Sequence, residues 1–348
     1  MAGPLHRRRE RLRLEQERAM SADISYSVAF QQGVREEMDR DKSVFVLGTD
    51  IFDRGGHFAQ VKGLGDLFGR TRVRDAPISE AAMVAAGVGA ALAGTRPLVD
   101  LNFMDFAYGA MDEIANQAAK LRYMWGAPVP LVIRATSGVA QGGAQHNNSL
   151  EPWLAGLPGL SVVSPYRPYD VKGLIKSALR GSDPVIFMMH KKLTGARGPV
   201  GGDEDLVEIG RAHVARPGTD VTVVTYSYGV RLALGAAEAL AGDGVSAEVI
   251  DLRTLYPLDT ATIIESVRRT GRVVVLDEAP RYGGMAAEIV TSVTESAFWY
   301  LDQPVHRVTG AHTPIPHSPA LLDAILPTEG DVVRAVRQVL ADGPQEAR

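Results

Sequence analysis

Two side chains in this sequence sit where they could carry acid–base chemistry. The first is Glu80. It follows Arg72-Val-Arg-Asp-Ala-Pro-Ile-Ser79, a short strand-like run closed by Pro77, and precedes the Ala- and Gly-rich stretch Ala81–Leu92. Proline cannot continue a hydrogen-bonded ladder, and Ser79 offers an N-cap. The spacing therefore predicts a helix with the Glu80 carboxylate in its first turn and apolar residues directly behind it. A first-turn glutamate also complements a helix dipole, and spacing alone leaves both roles open. The second is His146, which ends Ser137-Gly-Val-Ala-Gln-Gly-Gly-Ala-Gln-His146. A loop this rich in glycine lets backbone approach a ligand and lets one imidazole project from a mobile support. A lone histidine in such a loop is more often structural than catalytic, so its role also stays open at this level.

Other patterns carry less. Gly63-Leu-Gly-Asp-Leu-Phe-Gly69 follows Gln60-Val-Lys62 and not an apolar strand, so its glycines read as loop and helix caps, not as a dinucleotide fingerprint. Gly87-Val-Gly89 lies within the helix after Glu80. The absence of cysteine excludes disulfides, thiolate metal sites and cysteine nucleophiles, and it suits a cytoplasmic protein. A net charge of −4 gives no field for nucleic acid or membrane, and no apolar run approaches the ~20 residues of a membrane span.

The elements that must position Glu80 and His146 alternate. Helix Val28–Met38 leads to strand Val44–Leu47; strand Pro97–Phe103 leads to a helix from Asp105 through Trp125. Strands Val129–Arg134, Leu160–Val163 and Pro184–Met189 follow, with a helix over Tyr169–Arg180. Apolar strands alternating with helices predict an α/β fold with a mostly parallel sheet covered on both faces. At 348 residues and 45% apolar, the chain suits two such domains. The composition shifts to Gly, Pro and charge between Leu193 and Pro217, which places a linker at 196–216 between domains over 21–195 and 217–340. In the second domain the strands fall at Asp220–Tyr226, Ala247–Asp251, Arg272–Leu276 and Val305–Val308, with a closing helix at Glu329–Leu340 and a tail over 341–348. Residues 1–20 hold six Arg and three Glu and read as a solvated, basic arm, with Met20 an alternative start.

Taken together, residues 21–340 resemble the β subunit of the thiamine-diphosphate-dependent E1 component of 2-oxo acid dehydrogenase complexes. The matching stretches are collinear: Asp75-Ala-Pro-Ile-Ser-Glu80, Gly94-Thr-Arg-Pro97, Phe103-Met-Asp-Phe106, Asp112–Lys120, Gly143-Ala-Gln-His146, Pro158–Pro165, Lys172–Lys176, Asp251–Asp259 and Asp277-Glu-Ala-Pro280. The resemblance implies a transketolase-like pyrimidine-binding domain followed by a transketolase C-terminal-like domain. It implies that Glu80 hydrogen-bonds the aminopyrimidine of thiamine diphosphate, that Phe106 stacks on that ring, and that Asn102 lies beside it. It makes His146 the active-site histidine that protonates the lipoyl sulfur during reductive acylation. A structural K⁺ is implied at the main-chain carbonyls of Leu131, Ala178, Leu179, Gly181 and Asp183.

Enzymes of this class hold Mg²⁺ through Gly-Asp-Gly with an asparagine downstream. Here Gly242-Asp-Gly244 follows a helix and no asparagine comes after it, so it reads as a helix-terminating turn. The resemblance therefore assigns Mg²⁺ and the diphosphate to an α subunit in an α2β2 assembly. The E2 lipoyl and subunit-binding domains are the further partners, and the second domain serves assembly. The substrate implied is a small 2-oxo acid, pyruvate first and a branched-chain acid next, with acetoin the alternative. A self-sufficient transketolase-like synthase is disfavoured by the missing diphosphate half, and a non-catalytic scaffold by the presence of Glu80 and His146. Two departures stand out: Gly48-Thr-Asp50 where relatives often read Gly-Glu-Asp, which puts an acidic proton relay between active sites in doubt, and Asn147-Asn-Ser where they usually read Ser-Gln.

Overall fold

Among the described residues fourteen short runs form strands: β1 (Ile24–Ser25), β2 (Val44–Gly48), β3 (Val73–Asp75), β4 (Arg96–Phe103), β5 (Val132–Ser137), β6 (Ser161–Val163), β7 (Val185–His190), β8 (Arg197–Gly198), β9 (His213–Arg216), β10 (Val221–Thr225), β11 (Ala247–Asp251), β12 (Thr254–Tyr256), β13 (Val273–Pro280) and β14 (His306–Gly310). These come from a computed structural model that describes residues 23–341. The arm expected over 1–20 and residues 342–348 of the expected tail lie outside that range.

The first sheet has seven strands in the order β12-β6-β7-β5-β4-β2-β3. Every pairing in it is parallel except β12 on β6. Its central strands β5 and β7 are buried at every residue, as expected where helices cover both faces. Helices α1 (Tyr26–Arg40), α2 (Glu80–Leu92) and α3 (Pro168–Arg180) provide that cover. The second sheet runs β14-β13-β10-β11-β9, parallel except at β9, and packs against α4 (Tyr228–Ala241) and the closing helix Glu329–Ala341. No helix among the described residues is long and apolar enough to cross a membrane.

The two halves share a core. One apolar cluster runs from Val84 and Val99 through Leu160 and Val162 into Leu252, Leu255, Ile263 and Val293. β12 leaves the second half of the chain to pair antiparallel with β6, and Arg253 just before it meets the buried Asp170 of α3 at 3.0 Å. The expected linker is structured at both ends, where β8 pairs with β1 and β9 with β11.

Two local expectations differ. The strand expected at Val129–Arg134 falls at Val132–Ser137. The single helix expected from Asp105 to Trp125 is three pieces: a 3₁₀ segment Met104–Ala110, a π segment Glu113–Ala118 and an α segment Leu121–Trp125. Gly109 is a poor helix former, and packing of the first two pieces against α2 sets their pitch.

Candidate active site

The site begins where β4 stops being regular. Its register against β5 shifts between Asp100 and Phe103, and within that bulge Asn102 takes the left-handed conformation at φ 62°. Asparagine tolerates this region better than most residues, and hydrogen bonds hold it there. Its N–H donates to Asp100 Oδ1 at 2.8 Å, and its side-chain oxygen accepts the His57 N–H at 3.3 Å. Asp100 is itself fixed in the core. Arg134 Nη1 lies 3.3 Å from both its oxygens, and Gln60 Nε2 donates to Oδ2 at 2.7 Å. Bulges re-aim side chains, and this one delivers Phe103 to an aromatic wall.

That wall gathers rings from four segments. Phe103 stands 5.6 Å from Phe106, 5.2 Å from His57 and 5.5 Å from Phe58 between ring centroids. The His146 imidazole approaches Phe103 at 5.0 Å and Phe106 at 5.7 Å, edge-on to both. Lys191 Nζ lies 5.6 Å over the Phe103 ring, and burial holds its ammonium below the usual lysine range. The structure thus brings Phe106, His146 and Asn102 into one neighbourhood.

The loop that carries His146 is pinned, contrary to the mobile support expected. Asn148 donates from its backbone and side chain to Asp105 Oδ1 at 2.9 and 2.7 Å. Asn147 accepts the Ala140 N–H at 2.9 Å and donates to the Gly143 carbonyl at 2.7 Å. The two asparagines that mark a departure in sequence are therefore the clamps of the loop. His146 Nδ1 lies 3.3 Å from the Gly142 carbonyl.

Glu80 opens α2, whose Met83, Val84, Gly87, Val88 and Ala91 pack into the core. The carboxylate is half-buried and, among the described residues, makes no hydrogen bond or ion pair. Ser79 takes the N-cap position, but its hydroxyl reaches the Pro77 carbonyl at 3.5 Å and caps nothing. Ala82, Ala85, Ala86 and Gly89 leave the outer face of α2 exposed, so this chain alone closes only one side of Glu80. The helix that Glu80 opens lies against Met104–Ala110, the segment that presents Phe106.

Of the five carbonyls expected to hold K⁺, those of Leu179 and Gly181 accept Arg96 Nη1 at 3.0 and 2.5 Å. Ala178 O accepts Gly181 N–H and Leu131 O accepts Val185 N–H, while the Asp183 side chain pairs with Arg122 at 3.0 Å. A guanidinium thus already lies on two of the five. Gly242-Asp-Gly244 ends α4 as a turn: Gly244 has φ 80° and Asp243 pairs with Arg337 at 2.6 Å. Thr49, at the position where a glutamate is often expected, touches Met83 Sδ at 4.0 Å.

Sequence reasoning missed His57, Phe103, Lys191 and Glu278 as parts of this neighbourhood. Glu278 stands in the Asp277-Glu-Ala-Pro280 stretch, and nothing in that stretch says that it reaches across to the first domain. Glu151, just after the loop, is buried with one oxygen unpartnered, and burial pushes its carboxyl up to about 8.

Residues 22–196 match the transketolase pyrimidine-binding domain family, and residues 210–332 match the transketolase C-terminal domain family. The chain is 42% identical over 336 residues to the acetoin:2,6-dichlorophenolindophenol oxidoreductase subunit beta of Cupriavidus necator, covering 93% of this chain and 99% of that protein. It is 40% identical over 323 residues to the 2-oxoisovalerate dehydrogenase subunit beta of Bacillus subtilis, covering 91% and 98%. It is 42% identical over 342 residues to the mitochondrial pyruvate dehydrogenase E1 component subunit beta-1 of Arabidopsis thaliana, covering 95% and 94%. Among solved structures, a split-gene transketolase described as an inactive beta4 tetramer superposes with TM-score 0.77 at 25% identity, covering 92% of this chain and 99% of that one.

Proposed function

The chain belongs to the transketolase-like family of 2-oxo acid dehydrogenase E1 β subunits, and on that premise we propose that Glu80 and the aromatic wall form the aminopyrimidine half of a thiamine diphosphate site shared with an α subunit. The residues fit that ring: a half-buried carboxyl without a partner stands at the end of a helix packed on the segment that presents Phe106. Thiamine diphosphate, when bound, supplies the thiazolium electron sink that lets carbon dioxide leave. Glu80 donates or accepts the hydrogen bond at the ring nitrogen, and Phe106 stacks on the ring face. Asn102 holds the bulge that keeps Phe103 and Phe106 in place. With Nδ1 of His146 donating to the Gly142 carbonyl, Nε2 is the atom that takes up and delivers a proton to the departing lipoyl sulfur. The α subunit holds Mg²⁺ and the diphosphate in an α2β2 assembly, and the lipoyl and subunit-binding domains of an E2 acyltransferase are the other partners.

The single observation that carries this reading is the convergence of Phe103, Phe106 and His146 on one wall beside α2. The substrate is a small 2-oxo acid, with pyruvate the first to assay and 2-oxoisovalerate the next. Acetoin is the second reading, since the Cupriavidus subunit is as similar, at 42% identity, as the Arabidopsis pyruvate dehydrogenase subunit.

Co-expression with the α subunit tests the assignment. Glu80→Gln keeps the shape of the side chain but cannot share a proton, so decarboxylation with an artificial electron acceptor should fall by roughly 10²–10⁴ while assembly persists. Retention of more than about a tenth of the activity would return Glu80 to complementing its helix dipole. Purified alone with thiamine diphosphate and Mg²⁺, the β chain should show no turnover of any of the three substrates.

A further inference from the structure

The foot of the His146 loop is held from three directions. Gly138, at φ 76°, lies flat against the His190 imidazole, and a Cβ there would come within 2.0 Å of the ring. Lys191 Nζ donates to the Gly138 carbonyl at 2.5 Å. The next amide, that of the buried Val139, donates at 2.6 Å to Oε1 of Glu278. The same oxygen lies 3.1 Å from His190 Nε2. His190 Nδ1 accepts the Lys192 N–H at 3.1 Å, which leaves the neutral ring's proton on Nε2 and makes it a donor to Glu278. Glu278 therefore binds the loop and the ring beneath it through one oxygen.

Of the groups at this foot, Glu278 and Tyr228 come from the second domain. Tyr228 stacks on His190 at 5.1 Å. Glu278 is aimed by its neighbour Asp277, whose carboxylate accepts the amides of Ala279 and Ala286, both at 3.0 Å, and the Tyr226 hydroxyl at 2.8 Å. Burial raises the Glu278 carboxyl, but His190 and the Val139 amide outweigh it and hold the group below its usual range, so it accepts as a carboxylate. At the other end of the loop, Asn147 and Asn148 are anchored within the first domain.

We infer that Glu278 is a positioning residue of the active site: carried by the second domain, it fixes through Val139 and His190 where the His146 imidazole stands. The inference deepens the proposed function and rests on the reading of His146 as the proton donor in acyl transfer. It also gives the second domain a part in the chemistry beyond the assembly role expected from sequence. Glu278→Ala removes the acceptor of both N–H groups and frees a run containing Gly138, Gly142 and Gly143. Glu278→Gln keeps a carbonyl oxygen for both donors and should rescue.

The test has two arms on one set of variants. In the full-length β chain, hydrogen exchange followed by mass spectrometry should show amides of residues 138–146 exchanging roughly ten- to a hundredfold faster in Glu278→Ala, with Glu278→Gln close to wild type. In the complex with the α subunit, Glu278→Ala should depress transfer to a free lipoyl domain as His146→Ala does, spare decarboxylation with an artificial acceptor, and add nothing to His146→Ala in the double variant. Unchanged exchange in Glu278→Ala overturns the positioning claim whatever the enzyme does. Faster exchange with unimpaired acyl transfer, where His146→Ala is impaired, overturns it as well. Faster exchange with His146→Ala itself unimpaired sustains the positioning of the loop and sinks the proposed role of His146 instead. Should Glu278→Ala not accumulate as folded chain, Gly138→Ala asks the same question from the loop side, by forcing the foot away from His190.

Discussion

Replacing Asp100 by alanine should be among the most damaging single changes in the first domain, although Asp100 touches no expected ligand. Its side chain is 1% exposed and lies opposite Arg134, which is fully buried. Without Asp100 the guanidinium keeps its bond to Thr136 Oγ1 at 2.8 Å, a contact with Met189 Sδ at 3.3 Å and the Phe30 ring at 5.7 Å, none of which carries a negative charge. Breaking one side of a buried ion pair typically costs 3–5 kcal/mol, because the remaining charge is stranded in the core. Gln60 Nε2 also loses its acceptor, and the strained Asn102 loses the bond that holds it, which adds about 1–3 kcal/mol. Against a total stability of about 5–15 kcal/mol, the variant should unfold at far lower urea, read by circular dichroism of the full chain. The diagnostic comparison is Asp100→Ala with Arg134→Met. If the stranded charge is the main cost, the double variant should recover most of the loss, since an apolar replacement of a buried pair is often close to neutral. A loss under about 1 kcal/mol for Asp100→Ala, or a double variant no better than the single, would refute the reasoning.

Two further outcomes follow from ionisable groups. Glu151 keeps its proton to about pH 8 when folded but would release it near 4.5 when unfolded, so its contribution to stability is fully present below the lower value and is lost as pH rises to the upper one. Glu151→Gln should therefore match wild type at about pH 5 and exceed it above about pH 8, by at most roughly 4–5 kcal/mol, in thermal unfolding; parallel pH profiles would count against it. Arg96 lies on two of the carbonyls expected to bind K⁺, so exchanging K⁺ for Na⁺ should leave the thermal midpoint of the wild-type chain unchanged while Arg96→Ala becomes K⁺-sensitive; K⁺-specific stabilisation of wild type would reverse that conclusion.

What could be read from the sequence is what is local and periodic. β5, β7, β10 and β11 are buried at every residue because both faces are covered, and their clustered Val, Ile and Met residues declare them. The turn at Gly242-Asp-Gly244 is likewise a local event at the end of a helix. β12 is not local. Thr254-Leu-Tyr256 sits between Arg253 and Pro257, shows no alternation, and becomes a strand only because β6 offers an edge across the domain boundary. The break-up of Asp105–Trp125 escapes for a similar reason: Met111, Ile114 and Ala118 suit any helical pitch, and contact with α2 selects it. Asn147 and Asn148 act through hydrogen bonds to nearby backbone and to Asp105, which leave no period to detect.

The proposed chemical groups differ in how they are held, and that difference has a consequence. Glu80 and Phe106 belong to a helix and a 3₁₀ segment packed on each other within the first domain, so their relation does not depend on the second. His146 sits on a loop whose two ends answer to different domains: Asp105 holds the C-terminal end and Glu278 the N-terminal foot. Its position is then only as fixed as the relation between the domains. Three features fix that relation: the shared apolar core through Leu160, Val162, Leu252 and Leu255, the β12–β6 pairing, and the buried Asp170–Arg253 pair. A chain that needs its pyrimidine-side residues for the first chemical step and its histidine only for the later transfer can tolerate small shifts between domains in the first and not in the second. On the proposed role of His146, shearing the domains should therefore cost acyl transfer before decarboxylation, since a reacting group displaced by about 1 Å can lose about 10²-fold in rate.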